Sequence, residues 1–238
     1  MKNKTIEQIL DSTPTIYNEI APTFQQTRRK PWPIMELIKS HIAKADSIID
    51  IGCGSGRLSE MTPDYKKYLG LDNSSELISL AKTTYSNRKN IKFQATDIVT
   101  NNIPNNHFDL ALMIAVIHHI PTKKLRLQIL KNISSSLKPN STIIITSWNL
   151  WQSAYRKYLF NYKLKFGKYK ILSLNDAFIP WKTKEGSKMR YIHSLTKTEL
   201  KSLLKNSDFK LEKIFYEYHG QPAGILRGRN LVAIATKR

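Results

Sequence analysis

From Ser47 onward the chain alternates short apolar runs with stretches of helical period. Residues 47–51, 68–71, 91–95, 110–115 and 142–146 read as strands. Between them, the region around Leu58 and residues 76–85 and 123–137 repeat their apolar positions at helical spacing. That alternation predicts a mostly parallel α/β sheet with helices on both faces. Lys138-Pro139-Asn140 closes the last of these helices before a buried strand. Upstream, residues 1–45 read as a polar helical cap, interrupted by a rigid loop at Thr27-Arg28-Arg29-Lys30-Pro31-Trp32-Pro33. After Trp148 the alternation stops. Residues 196–206 form another helix, with Thr196 as N-cap and Glu199 at a capping-box position. Residues 209–218 and 231–236 end the chain as two strands placed to pair antiparallel, joined by a loop marked by Gly220, Pro222, Gly224 and Gly228.

Composition narrows the class. The chain has 238 residues, 41% hydrophobic and 24% charged, which suits one folded domain and is too short for two independent enzymes. The domain divides into the helical cap 1–45, a core 46–147, an insertion 148–195 and a C-terminal helix with its strand pair, 196–238. The longest apolar run, residues 110–117, is too short for a transmembrane helix. No apolar export signal follows Met1, so the expected location is the cytoplasm. Cys53 is the one cysteine, which fits a reducing compartment, and no metal site is expected.

Charge changes the picture more. A net charge of +20 attracts polyanions, nucleic acid first among them. Lysine and asparagine are abundant throughout, so the position of the charge must decide. It concentrates in residues 151–190, where ten basic residues face two acids, Asp176 and Glu185. Aromatic side chains are interleaved with them. Tyr155, Tyr158, Tyr162 and Phe166 fall at helical spacing, which reads as core packing that leaves the lysines free for RNA.

Chemistry is concentrated where the first strand gives way to a helix, at Asp50-Ile51-Gly52-Cys53-Gly54-Ser55-Gly56-Arg57. Ligands of open α/β sheets bind at such a crevice, and the glycines let backbone approach a cofactor closely. A dinucleotide fingerprint would place a small residue where Arg57 stands, which disfavours an NAD-linked oxidoreductase. Asp72 ends the second strand, where a carboxylate can accept from two ribose hydroxyls. Asp97 follows the third strand. Cys53 has no pairing base near it in sequence and reads as a small filler.

The glycine run, with an acid before it, resembles the first motif of class I S-adenosylmethionine-dependent methyltransferases. The resemblance implies a Rossmann-like fold with a mostly parallel seven-stranded sheet, helices on both faces and a C-terminal antiparallel strand. It also implies S-adenosyl-L-methionine as cofactor, held by Asp50, Gly52, Gly54, Gly56, Asp72, Asp97, Ile98 and Ala115. Asp50 would lie near the cationic amino-acid end and Asp97 would read the adenine amino group.

Three further segments resemble a narrower family, the tRNA wobble-uridine carboxymethyl methyltransferases. They are Tyr17-Asn18-Glu19-Ile20-Ala21-Pro22 continuing through Phe24, Gln26-Thr27-Arg28 and Lys30-Pro31-Trp32-Pro33, then Ile114-Ala115-Val116-Ile117-His118-His119, then Pro180-Trp181 with Arg190-Tyr191 and His193. The Gly220 to Asn230 segment departs from the tryptophan-containing ending of the eukaryotic members. The resemblance implies esterification of 5-carboxymethyluridine in a tRNA anticodon stem-loop. A carboxylate with a solution pKa of roughly 4 is already ionised at neutral pH and needs no general base. Cations and donors that orient it are what the enzyme must supply, and Arg28, His118 and Arg190 are the catalytic candidates. Arg29, Lys30, Trp32, His119, Trp181, Tyr191 and His193 are candidate substrate contacts, Trp32 by stacking on a base. Which of His118 and His119 faces the site is open at this level. A small zinc-binding activator subunit is implied as a partner of the edge strand, residues 89–94. Two other readings stay open: a methyltransferase of a lipid-soluble acceptor at a membrane surface, and a non-catalytic module that binds cofactor and RNA.

Overall fold

The computed structural model describes residues 2–26, 34–105, 107–161, 173–183 and 186–238. Arg28, Arg29, Lys30 and Trp32 lie outside them, as do Tyr162, Phe166 and most lysines of the basic insertion.

Ten strands are described: β1 (Ser47–Ile51), β2 (Lys67–Asp72), β3 (Ile91–Ala95), β4 (Phe108–Ile114), β5 (Leu137–Trp148), β6 (Asp176–Thr183), β7 (Gly186–His193), β8 (Phe209–Tyr218), β9 (Gln221–Ala223) and β10 (Asn230–Lys237). The helices are α1 (Lys2–Gln26), α2 (Met35–Ile42), α3 (Ser75–Thr84), α4 (Lys123–Ser136), the single turn α5 (Arg156–Leu159) and α6 (Lys197–Lys205). Eight strands form one sheet in the order β3-β2-β1-β4-β5-β10-β8-β9. Pairing is parallel from β3 to β5 and antiparallel from β5 to β9.

The expected count of seven strands is corrected to eight. The extra strand lies in the glycine-rich segment read as a loop: His219 and Gly220 both have positive φ, and they turn β8 directly back into β9. Two other local readings also change. The region around Leu58 is a short 3-10 turn, Arg57–Met61, rather than an α-helix. The Lys138-Pro139-Asn140 turn is an irregularity inside β5, with Asn140 at φ 63°.

The central strands are buried on both faces, which is why they read as unbroken apolar runs. Alternate residues serve opposite layers. Ile49 and Ile51 pack with Met113, Ile129 and Leu203 under α4 and α6, while Ile48 and Leu110 pack with Ile38, Ile42 and Ile78 under α2 and α3. Helix starts follow short-range chemistry: Ser74 Oγ accepts from Leu77 N at 3.2 Å, and Thr122 Oγ1 from Leu125 N at 3.2 Å. Thr196 caps α6 as expected, accepting from Glu199 N at 3.1 Å. The Glu199 side chain does not complete a capping box. It reaches Arg126 and His193, a stronger charged partnership.

The segment 148–195 folds β6 and β7 into an antiparallel hairpin separate from the main sheet. Tyr155 and Tyr158 pack on Leu150, Leu159, Ala177, Ile179 and Ile192, so the described half of the aromatic stripe is core. Among the described residues, no helix is long and apolar enough to cross a membrane.

Candidate active site

Strand order reverses between β2 and β4, with β1 at the switch point, and the cleft opens at the carboxyl ends of these strands. With its open mouth included it spans about 1260 Å³ of space, and Asp50, Asp72, Asp97, Ile98 and Ala115 all line it.

The glycine loop is shaped by packing and by hydrogen bonds. Gly52 has φ 72°, and a Cβ there would fall 2.3 Å from Val116 Cγ2. Gly54 turns its N–H onto Asp72 Oδ2 at 2.8 Å, while Ser74 N donates to Asp72 Oδ1 at 2.9 Å. Cys53 packs beneath Gly70, where a Cβ would approach its sulfur to 2.8 Å. Burial, and then the charges of Asp72 and Asp50, push the thiol well up, so it is an inert filler as expected.

Burial dominates the carboxylates too. Asp50 is pushed up to about 7, because desolvation outweighs the hydroxyl that Tyr68 donates to it and nearby Asp72 adds to the rise. Asp72 is also raised by burial, against its backbone donors. Two buried carboxylates so raised form a cavity wall that a cationic ligand would stabilise. Asp97 accepts from Val99 N at 2.8 Å and Thr100 Oγ1 at 3.1 Å, closing its turn while lining the cleft. Ala115 holds φ 60°, with its N–H on Thr146 Oγ1 at 2.9 Å, and this turns the chain from β4 into the histidine pair.

His118 and His119 both line the cleft. Trp148 N donates to His118 Nδ1 at 3.3 Å, so the proton of the neutral ring is on Nε2. Its ring stacks on Trp148, with centroids 5.6 Å apart. His119 bonds the Tyr191 carbonyl through Nδ1 at 3.1 Å and the Tyr17 hydroxyl through Nε2 at 3.0 Å. Helix α1 closes the cleft from above: Leu10, Thr13 and Tyr17 line it, Ser74 Oγ donates to Asn18 Oδ1 at 2.7 Å, and Glu19 pairs with Lys188 at 2.8 Å.

Behind Trp148, which also lines the cleft, stands Arg190. It is 5% exposed, with its guanidinium 5.1 Å from the Trp148 ring and 4.4 Å from the Trp181 ring. Its Nε and Nη1 are buried without a hydrogen-bond partner among the described residues. Neither Arg190 nor Trp181 lines the cleft itself; Trp148 stands between them and it.

Tyr191 and His193, read from the sequence as substrate contacts, are placed elsewhere. Both are buried in a charged network away from the cleft, because Asp176 Oδ1 accepts from the Tyr191 hydroxyl at 2.7 Å and from His193 Nδ1 at 2.6 Å. His193 Nε2 meets Glu199 at 2.9 Å, and Arg126 reaches the same carboxylate at 2.9 Å. Burial opposes a charged His193, but the hydrogen bonds to Asp176 and Glu199 outweigh it and raise its pKa. Sequence reasoning missed Trp148 and the lining role of Tyr17. The signal for Trp148 was its place at the carboxyl end of a parallel strand.

This strand order, with an acid-flanked glycine loop at its switch point, defines a Rossmann-like domain. Residues 48–140 match the family described as a methyltransferase domain. Over 75% of its length the chain is 32% identical to the tRNA (carboxymethyluridine(34)-5-O)-methyltransferase of Saccharomyces cerevisiae, and over 60% it is 29% identical to the Schizosaccharomyces pombe protein of the same name. The matched part spans 59% of each of those relatives. Among solved structures, a methyltransferase from Methanosarcina mazei matches 84% of this chain and 96% of its own, with a TM-score of 0.66 at 24% identity. The N-methyltransferase NodS from Bradyrhizobium japonicum, in complex with S-adenosyl-L-homocysteine, matches 85% of this chain and 84% of its own at a TM-score of 0.58 and 14% identity.

Proposed function

We propose that the protein is an S-adenosylmethionine-dependent methyltransferase that esterifies the carboxylate of 5-carboxymethyluridine at the wobble position of tRNA. The cleft supports the cofactor reading through its buried acids. Asp50 answers a cationic amino group, Asp72 and the glycine loop take the ribose, and Asp97 with Ile98 borders the base. The names of the yeast relatives support the substrate.

The observation that carries the acceptor assignment is Arg190. A buried guanidinium whose Nε and Nη1 find no hydrogen-bond partner among the described residues is costly, and a planar carboxylate is the group that satisfies a fork of this kind. Stacking on Trp148 and Trp181 fixes the plane in which that fork lies. Bound cofactor supplies a methyl group on a sulfonium, which an already ionised carboxylate oxygen takes by displacement while a neutral thioether leaves. The protein's task is therefore alignment and exclusion of water. Trp148 and His118 wall the acceptor side, α1 lies over the opening, and His119 is held between Tyr17 and Tyr191. No proton has to be moved. The outer edge of β3, which no strand pairs among the described residues, is the edge that an activator subunit would pair with.

The test is nucleoside mass spectrometry. The protein is incubated with S-adenosylmethionine and tRNA carrying 5-carboxymethyluridine, alone and with an activator subunit. The methyl ester should appear at the anticodon uridine. If that uridine stays unchanged in both arms while the cofactor binds, the acceptor assignment is wrong.

A further inference from the structure

The turn from β8 to β10 carries charge that the proposed reaction does not use. Residues 218–230 contain two arginines and one histidine and no acid. Arg227 and Arg229 are exposed, with their guanidinium groups 4.9 and 5.1 Å from the centroid of the Tyr218 ring. Neither forms an ion pair among the described residues. The adjacent acid, Glu217, is buried and spends its carboxylate on Gly220 N at 2.6 Å and Asn230 Nδ2 at 3.0 Å.

The turn is also fastened from inside. Asn149 donates its side-chain amide to the carbonyls of Ile225 at 2.5 Å and Gly228 at 2.7 Å, and its backbone N–H to Arg229 O at 3.0 Å. Gly228 fits because a Cβ there would fall 2.6 Å from Tyr216 Cβ. The backbone carrying both arginines is thus ordered before any partner arrives, which lowers the entropic cost of binding.

Position gives the turn its meaning. Asn230 pairs across the sheet with Trp148, which lines the cleft, so the turn that carries the arginines leads directly into the strand beside the cleft wall. Two fixed cations, stacked on one aromatic ring at the rim of a cleft, match the spaced phosphates of a nucleic-acid backbone. Anionic bilayers favour a broad apolar face beneath the basic groups, and here only Ile225 and Leu226 are exposed.

We infer that this turn is a phosphate-contact surface for the RNA whose nucleotide enters the cleft. The inference rests on the tRNA reading above. It is tested with Arg227→Ala/Arg229→Ala, and with Arg227→Lys/Arg229→Lys to retain charge. Binding of tRNA is measured by gel shift across a salt series, S-adenosylmethionine binding by calorimetry, and anionic phosphatidylserine vesicles by co-sedimentation. The alanine pair should weaken tRNA binding about tenfold and flatten the salt dependence by about 2, with cofactor affinity unchanged and the lysine pair largely restored. If the unaltered protein binds tRNA and the alanine pair binds it equally, the turn is not the contact surface and the function reading stands. If the unaltered protein binds no tRNA, the function reading falls and this inference with it. Vesicle binding lost in the alanine pair, with tRNA binding intact, would assign the turn to a membrane and overturn the inference.

Discussion

Replacing Asp50 by Asn removes a buried charge and keeps an acceptor for the Tyr68 hydroxyl. Burial raises this carboxyl from 3.8 to about 7, so ionising it in the cofactor-free fold costs about 4 kcal/mol above pH 7. The folded state holds the proton more tightly than the unfolded chain, so this group's contribution to stability falls as pH rises from about 4 to 7 and is flat above. Asp50→Asn should therefore stabilise the cofactor-free protein at pH 8 by up to about 4 kcal/mol, of order 10 °C in Tm for a chain of this size. The gain should shrink below pH 7 and vanish near pH 4. Cofactor binding should move the other way. The amide offers no charge to a cationic amino group, and the affinity of the variant should fall at least about tenfold at pH 8. In the unaltered protein, affinity should weaken as pH drops below 7, where Asp50 must lose a proton before it can act as an anion. Differential scanning fluorimetry from pH 5 to 9, with and without S-adenosylmethionine, and calorimetric titration read all of this. An Asp50→Asn variant that is no more stable than the parent at pH 8, or that binds the cofactor equally well, would refute both the burial argument and the placement of the amino group.

Three other outcomes are expected. Arg190→Lys keeps the charge and loses the planar fork, so cofactor affinity should hold while kcat/KM for the carboxylate acceptor drops about a hundredfold; full transfer would remove Arg190 from the acceptor site. His193→Gln breaks a buried charged contact at a cost of about 3 kcal/mol. A raised histidine pKa contributes stability below its unfolded value and loses it as pH rises through the folded one, so urea melts should separate parent and variant more at pH 6 than at pH 9. Gly52→Ala puts a methyl group against Val116 at a positive φ and should lower stability by about 2 kcal/mol or more, with partial recovery in Gly52→Ala/Val116→Ala, read by thermal melts.

Features that repeat locally were legible in the sequence. Strands β1 to β5 and the helices between them follow from apolar period, and the loop at Gly52 and Gly54 from its composition and its place after a strand. Cap residues were legible for the same reason, since Thr196 needs only its own next turn. The resemblance to known families supplied what period and spacing do not carry, such as the roles expected of Asp97 and Arg190. Contacts made by distant segments were hidden. Tyr17 meets His119 across 102 positions, and Arg126 meets Glu199 across 73. Glu199 reads as a capping residue because the capping pattern is short-range, and its buried partners are not. Tyr191 and His193 read as contacts of the acceptor because they neighbour Arg190. In a β-strand, successive side chains point to opposite faces, so neighbours in sequence serve different surroundings.

Helix α1 is fastened over the cleft through three consecutive residues, Tyr17 to His119, Asn18 to Ser74 and Glu19 to Lys188. A molecule seated beneath this roof is covered by one helical turn that carries three separate attachments. The half-exposed Glu19–Lys188 pair is weak on its own, and it is backed by the two hydrogen bonds on the same helical turn. Exit of the spent cofactor then becomes a candidate for the slowest event of a catalytic cycle, set by how often this roof opens rather than by how fast the methyl group moves.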